Sequence, residues 1–306
     1  MLPAVAIDHK HIPRIFKDDG SIQLWSRPLT LQKFFLQQNL KTLICLTGFV
    51  LAGCAGQNSA AVQVAPIKVC DQARVVLSFD DSSVDDWYAS RDIFTRYNVK
   101  ATFFVSRFGK KILRSSDATL LNKLTVLRDD GHEIGYHSTS HKNAKLLSQQ
   151  GVSWKQYYQK EIAPDLALLR QHGFAPQTFA YPFGAEVPAF TKQLKQHFSR
   201  VRGFTTEMEG KKYFKNYQKY RDPFLQMAFS IDSHRLNFAE LALVLDELHS
   251  SCGTLILASH KIVDRPATDS KARYRGVWAI TRADLATVIE MVQARNIRMV
   301  TFNQLI

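Results

Sequence analysis

From residue 75 onward, short apolar runs alternate with longer stretches in which apolar residues recur every three or four positions. The runs at 75–79, 101–105, 133–136, 178–182, 200–204, 227–231, 254–259 and 298–302 have the length and composition of strands. Between them, 87–97, 117–130, 154–172, 238–249 and 282–295 carry the helical period, with Phe238, Leu241, Leu245 and Leu248 on one helix face. Strand followed by helix, repeated with no composition break, internal repeat or long low-complexity tract, predicts one α/β domain built on a parallel sheet or barrel. In such a domain chemistry collects at the C-terminal ends of the strands. The residues that close each apolar run are therefore the ones to read for function.

Before residue 71 the pattern changes. Residues 41–54, "KTLICLTGFVLAGC", place a Lys before an apolar run too short to span a bilayer comfortably, then small residues and a Cys. This resembles a bacterial lipoprotein signal with Leu51-Ala52-Gly53-Cys54 as its lipobox; a buried core helix is the alternative. Such signals start near the initiating Met, yet about forty residues precede this one, so residues 1–39 read as an over-extended N-terminus, with Leu40 as an alternative start. Residues 40–53 are then the signal peptide, 54–70 the lipidated Cys and a small, polar tether, and 71–306 the catalytic domain. Ala55 stands where an Asp commonly retains Gram-negative lipoproteins at the inner membrane, so the periplasmic face of the outer membrane is the expected location.

The 306 residues carry 40 Lys/Arg against 27 Asp/Glu, a formal charge of +13. Removing residues 1–53 takes away six Lys/Arg and three Asp and leaves 34 against 24, about +10, which favours an anionic partner. No zinc-finger spacing or RNA-binding signature is present, so nucleic acid is not the expected partner. Of the four cysteines, Cys45 leaves with the signal and Cys54 carries lipid; Cys70 and Cys252 remain for an oxidising compartment. Each precedes a strand-like run, and a Cys70–Cys252 disulfide across neighbouring strands is one arrangement, two buried thiols the other.

The run "VVLSF" ends on Asp80 and Asp81. Adjacent side chains on a strand face opposite ways, so one carboxylate can hold a cation while its neighbour moves a proton; Asp and Ser also suit a turn or helix N-cap. In "GHEIGYHSTSH", His137 and His141 are four apart and share a face if the chain turns helically. Two His with one carboxylate make a catalytic metal set with open positions, and a surface helix pair is the alternative. His132 precedes the strand and reads as structural. "TFAYPFG" turns at Pro182 and Gly184, where the Phe183 amide can serve as an oxyanion donor. "TLILASHKI" brings His260 to a strand end, suited to general acid work.

In this order, "SFDDS", "HSTSH", "AYPFG" and "LASH" resemble the motifs of the polysaccharide deacetylases, the NodB-homology or carbohydrate esterase family 4 proteins, over roughly residues 74–304. The resemblance implies a distorted (β/α) barrel and metal-dependent removal of N- or O-acetyl groups from a sugar. Position by position, it makes Asp80 the general base, Asp81, His137 and His141 the ligands of a divalent metal, usually Zn2+, His260 the general acid and the Phe183 amide an oxyanion donor. The expected partners are an acetylated polysaccharide, for which the charge balance favours an anionic one, and, through Cys54, a membrane.

Three departures qualify it. Ser82-Ser83 replaces the common Gly after the Asp pair. Ala180 stands where the Arg of an Arg-x-Pro-Tyr turn orients the base, and Phe183 replaces Tyr; Arg202 is a candidate substitute, a surface charge the alternative. The Asp motif that supports the catalytic His is only partly present in "FSIDSH", where Asp232 either orients His260 or caps the helix near 237. The segments 211–221 and 264–278 interleave Lys and Arg with Tyr and Trp278 and suit an anionic glycan or a solvated basic loop; "DDWY" at 85–88 suits a site rim or helix initiation. Hydrolysis of a small amide on the same fold and a catalytically weak glycan-binding lipoprotein are the competing readings. No G-x-S-x-G elbow supports a Ser hydrolase.

Overall fold

Seven strands run parallel, each beside the next in sequence: β1 (Arg74–Asp81), β2 (Thr102–Val105), β3 (Glu133–Tyr136), β4 (Thr178–Ala180), β5 (Arg200–Thr205), β6 (Leu225–Ser230) and β7 (Thr254–Ser259). β7 returns to pair with β1 from Arg74↔Thr254 to Phe79↔Ser259, which closes the barrel. This computed structural model describes residues 73–114, 119–205, 223–264 and 278–305, all within the compact unit Ala65–Ile306. The signal, Cys54, the tether, Cys70, the segment 211–221 and Arg265, Arg273, Tyr274 and Arg275 lie outside the described residues.

The barrel is distorted at β1. Two short strands, β8 (Lys261–Val263) and β9 (Ala279–Thr281), pair with each other in a separate parallel ribbon. The last, β10 (Arg298–Met299), pairs with Arg74 and Val75 of β1, whereas β2 joins β1 only from Ser78. The run expected at 298–302 thus breaks after two residues, and a 3-10 turn at Phe302–Gln304 sends Phe302 into the barrel interior.

Strand alternation sorts the apolar residues into two cores. Val75, Leu77 and Phe79 face the helices, where Phe103 packs on Phe79, Trp87 and Phe94 with ring centroids 5.6, 4.9 and 6.0 Å apart. Val76 belongs to the inner cluster with Phe104, Ala180, Ala228, Ile256 and Ala258. The inner alanines matter, because they leave room for the long polar side chain described below. Truncating a hub such as Phe103 to Ala would cost about 3–5 kcal/mol.

Several helices differ from their periodicity. The run at 87–97 is two helices, Val84–Ala89 and Arg91–Arg96, parted where the Ser90 hydroxyl donates to Asp86 O at 2.9 Å. Asp85 and Asp86 open the first of these and Trp87 is buried, so "DDWY" starts a helix. The stretch 154–172 is Trp154–Tyr157, a π-helical turn at Tyr158–Ile162, and Ala163–Gln171. Pro164 has no N–H to give Lys160 O, which explains why the ladder slips there. The helix Phe238–Ser251 is capped by Asn237, whose side chain accepts from Ala239 and Glu240 N–H, and ends on Cys252 at φ 59°. Cys252 is disulfide-bonded, with its partner outside the described residues. Among the described residues no helix is long and apolar enough to cross a membrane.

Candidate active site

The C-terminal ends of β1, β3, β4, β6 and β7 carry the predicted residues. Asp80 continues the inward alternation of Val76 and Ser78 and is buried. Asp81 breaks that alternation by taking φ 85°, a conformation costly for a residue with a Cβ. Ser82, in place of the common Gly, ties the turn down by donating from Oγ to Ser106 O at 2.6 Å. The adjacent acids therefore do not face opposite ways as a regular strand would place them: Asp80 Oδ2 and Asp81 Oδ1 lie 3.9 and 3.8 Å from the same His137 Nε2.

His137 and His141 are not on a helix. They flank a loop in which Ser138 and His141 have φ 69° and 58°, and their rings lie 4.9 Å apart. One donor atom from each of Asp81, His137 and His141 lies within 4.8 Å of the others. Asp81 Oδ1 stands 3.8 Å from His137 Nε2 and 3.0 Å from His141 Nε2. This oxygen is buried, with no partner nearer than the His141 imidazole among the described residues. His137 Nδ1 lies 2.8 Å from Ala180 O, a contact that fixes the proton on Nδ1 and leaves Nε2 as a lone-pair donor. Burial lowers the His137 pKa to about 4, against the pull of Asp80 and Asp81, so the ring stays neutral as a ligand must. Burial also works to raise the Asp81 carboxyl, but His141 and the charges of His137 and His260 carry it well below the ordinary range. An orphaned buried carboxylate oxygen facing two imidazole nitrogens fits a divalent cation.

The residue that orients Asp80 is Arg202. Ala180 of β4 is in register with Arg202 of β5, so the guanidinium comes from the strand beside the place the resemblance pointed to. Arg202 is fully buried and its Nη2 donates to Asp80 Oδ1 at 2.6 Å and Oδ2 at 2.5 Å. Its plane sits between the rings of Phe104 and Phe204, 5.0 and 5.1 Å away. Nε and Nη1 have no partner. The surface-charge alternative for Arg202 is excluded.

Asp232 supports His260 and caps no helix, since Asn237 does that. Its Oδ2 lies 3.2 Å from His260 Nδ1, and it accepts from the hydroxyls of Ser230 and Ser259 at 2.8 and 2.7 Å. Burial tends to lower the His260 pKa, but Asp232, with Asp80 and Asp81, raises it. For Asp232, burial is outweighed by His260 and the two hydroxyls, and its pKa is lowered. Trp87 Nε1 donates to His260 O at 2.7 Å and fixes the backbone from behind. His132 is structural as expected, accepting from Ala101 N–H at 3.0 Å between Phe94 and Phe103.

Phe183 has φ 60° and packs its ring 4.7 Å from His141, with 66% of its surface exposed. The turn closes through Gly184 N–H to Tyr181 O and Ala185 N–H to Pro182 O, and the Phe183 amide takes no part in either. Gly184 is required: φ is 63°, and a Cβ would lie 2.2 Å from Phe204 Cβ. Trp278, 43% exposed, lies 5.2 Å from His260 and carries Arg235 over its face at 4.7 Å.

The polysaccharide deacetylase family model matches residues 68–201, the part of the chain that holds Asp80, Asp81, His137 and His141. Over 117 residues, 37% of this chain, it is 34% identical to the peptidoglycan-N-acetylglucosamine deacetylase PgdA of Listeria monocytogenes. That match spans 22% of the Listeria protein, so the chain covers about a fifth of this relative's length. Solved structures with a similar fold include the chitin deacetylase of Colletotrichum lindemuthianum, at 19% identity and TM-score 0.47, over 78% of this chain and 89% of that one. A pseudoenzyme of the CE4 family from Bacillus anthracis has 16% identity and TM-score 0.48, over 77% of this chain and 66% of that one.

Proposed function

We propose that the chain is a metal-dependent deacetylase that hydrolyses N- or O-acetyl groups on an envelope polysaccharide. The observation that carries this reading is the cluster of Asp81, His137 and His141 between a carboxylate gripped by a buried Arg and an imidazole gripped by a buried Asp. Asp81, His137 and His141 would hold the ion; when bound, a divalent cation, Zn2+ for this donor set, supplies Lewis acidity at the acetyl carbonyl. Asp80 accepts the proton of the attacking water. His260, whose pKa Asp232 raises against the effect of burial, returns a proton to the leaving nitrogen or oxygen. The Phe183 amide donates to the oxyanion that develops on the carbonyl.

Two exposed aromatic rings, Phe183 beside His141 and Trp278 beside His260, offer faces for sugar rings. The basic balance of the chain suits an anionic glycan, and the Listeria relative makes acetylated peptidoglycan sugars the first substrates to try. The weak-binder reading leaned on the missing Arg, and Arg202 on Asp80 removes that support. We also assign residues 40–53 to a signal and Cys54 to lipid attachment; incorporation of labelled palmitate that Cys54→Ser abolishes is the expected result.

Acetate release by the zinc-loaded protein from acetylated peptidoglycan, chitin oligomers and O-acetylated glycans tests the chemistry. Release that Asp80→Asn abolishes is expected. No release from any of them by a folded, metal-bound protein would discard the polysaccharide reading in favour of a small amide substrate or a binding role.

A further inference from the structure

The loop Ser138-Thr139-Ser140 between the two histidines is held in a shape no isolated peptide would keep, with φ 69° at Ser138 and 58° at His141. Ser138 Oγ accepts from His141 N–H at 3.0 Å within the loop. Arg107 N–H donates to Ser138 O at 3.2 Å and the Tyr136 hydroxyl lies 2.9 Å from Thr139 Oγ1; the contacts to Thr139 and Ser140 described next come from the π-helical turn Tyr158–Ile162 and the start of the next helix.

In an unbroken helix, Glu161 O would accept from Asp165 N–H. Here both groups are diverted to Thr139. Thr139 N–H donates to Glu161 O at 2.8 Å, and Asp165 N–H reaches Thr139 Oγ1 at 3.3 Å. Tyr136, at the end of β3, donates its hydroxyl to Glu161 O and Ile162 O at 2.9 and 3.0 Å. The Glu161 side chain is buried, and its hydrogen bonds both come from Ser140: N–H to Oε2 at 3.1 Å, and the hydroxyl to Oε1. A buried carboxylate is unfavourable unless hydrogen-bonded. Glu161 is stable in this place only while Ser140, the residue before His141, stays in its observed position.

We propose that Glu161 is a positioning residue for the metal site: "KEIAPD" at 160–165 is a cradle, opened by Pro164, that sets the angle between His137 and His141 before an ion arrives. The proposal rests on the metal reading above. Groups that orient ligands from outside the coordination sphere change metal affinity about 10–100-fold when removed.

The test is zinc affinity by competition with a chromophoric chelator, and the visible spectrum of the cobalt-loaded protein, for the parent, Glu161→Ala, Glu161→Gln and Ser140→Ala. Glu161→Ala is expected to weaken zinc binding at least tenfold and change the cobalt spectrum. Glu161→Gln, which keeps an acceptor for Ser140, should recover most of the affinity, and Ser140→Ala should lose less than Glu161→Ala. A Glu161→Ala protein that melts lower but binds zinc and cobalt as the parent does overturns the proposal. If that variant does not fold, unchanged affinity in Ser140→Ala overturns it. A folded parent that binds no zinc overturns the metal reading and the positioning role with it; a parent that binds while the variants match it overturns positioning alone.

Discussion

Arg202→Met removes the guanidinium but keeps an unbranched side chain between Phe104 and Phe204. Both partners of the Arg202–Asp80 pair are out of solvent, at 0% and 3% side-chain exposure, so the screening that weakens surface pairs does not apply. Leaving Asp80 buried without its partner should cost about 3–5 kcal/mol. At about 2–4 °C per kcal/mol for a domain of this size, the melting temperature should fall by about 6–20 °C. Other terms limit what the intact pair adds. Nε and Nη1 are buried without partners, about 1–3 kcal/mol each, partly offset by the two aromatic faces at about 0.5–2 kcal/mol each. The double variant Asp80→Asn/Arg202→Met should therefore regain most of the lost stability. Acetate release by the single variant should drop about a hundredfold, because a base displaced by an ångström loses that much. Thermal unfolding of the parent and the two variants with an acetate assay decides it. A single variant that melts and turns over like the parent would refute the assignment of Arg202 as the clamp on Asp80.

Asp232 raises the His260 pKa, and a general acid works only below its pKa, so Asp232→Asn should move the alkaline limb of the kcat/KM profile to lower pH; an unmoved limb disproves the pairing. Chelation should abolish acetate release and zinc or cobalt restore it, while His137→Ala should stay inactive at the zinc concentration that restores the parent; activity that survives chelation contradicts metal dependence. Peptide mapping without reductant should find Cys252 joined to Cys70, and a Cys252 that alkylates freely before reduction rules the bridge out.

Most of the barrel was legible because each strand is a short apolar run bounded by helical periodicity, and the order of runs is the order around the sheet. Asp80, Asp81, His137, His141 and His260 were legible because each closes a run or follows one closely. Arg202 resisted assignment because its role depends on the register of β5 against β4, which no local pattern states. Asp232 had two local readings, and only the fold of β6 beside β7 placed it against His260. Glu161 carried no signal beyond Pro164 three residues later, and a helix pattern conceals a π turn that keeps the same apolar face. The three-residue strands β8 and β9 and the helix Pro188–Leu194 were too short for their period to register.

The closing pair of strands also separates two properties that need not change together. Asp80 and His260 are each one step beyond Phe79 and Ser259, the last residues paired between β1 and β7. On the proposed reading, the spacing of proton acceptor and proton donor is written into a backbone ladder, where a slip of one residue in either strand would turn its side chain away. The ring of Phe183 sits instead on a 3-10 turn and that of Trp278 directly before β9, both outside that ladder. If the proposed function holds, glycan preference can change by exchanging those segments while the geometry around Asp80 and His260 is inherited intact.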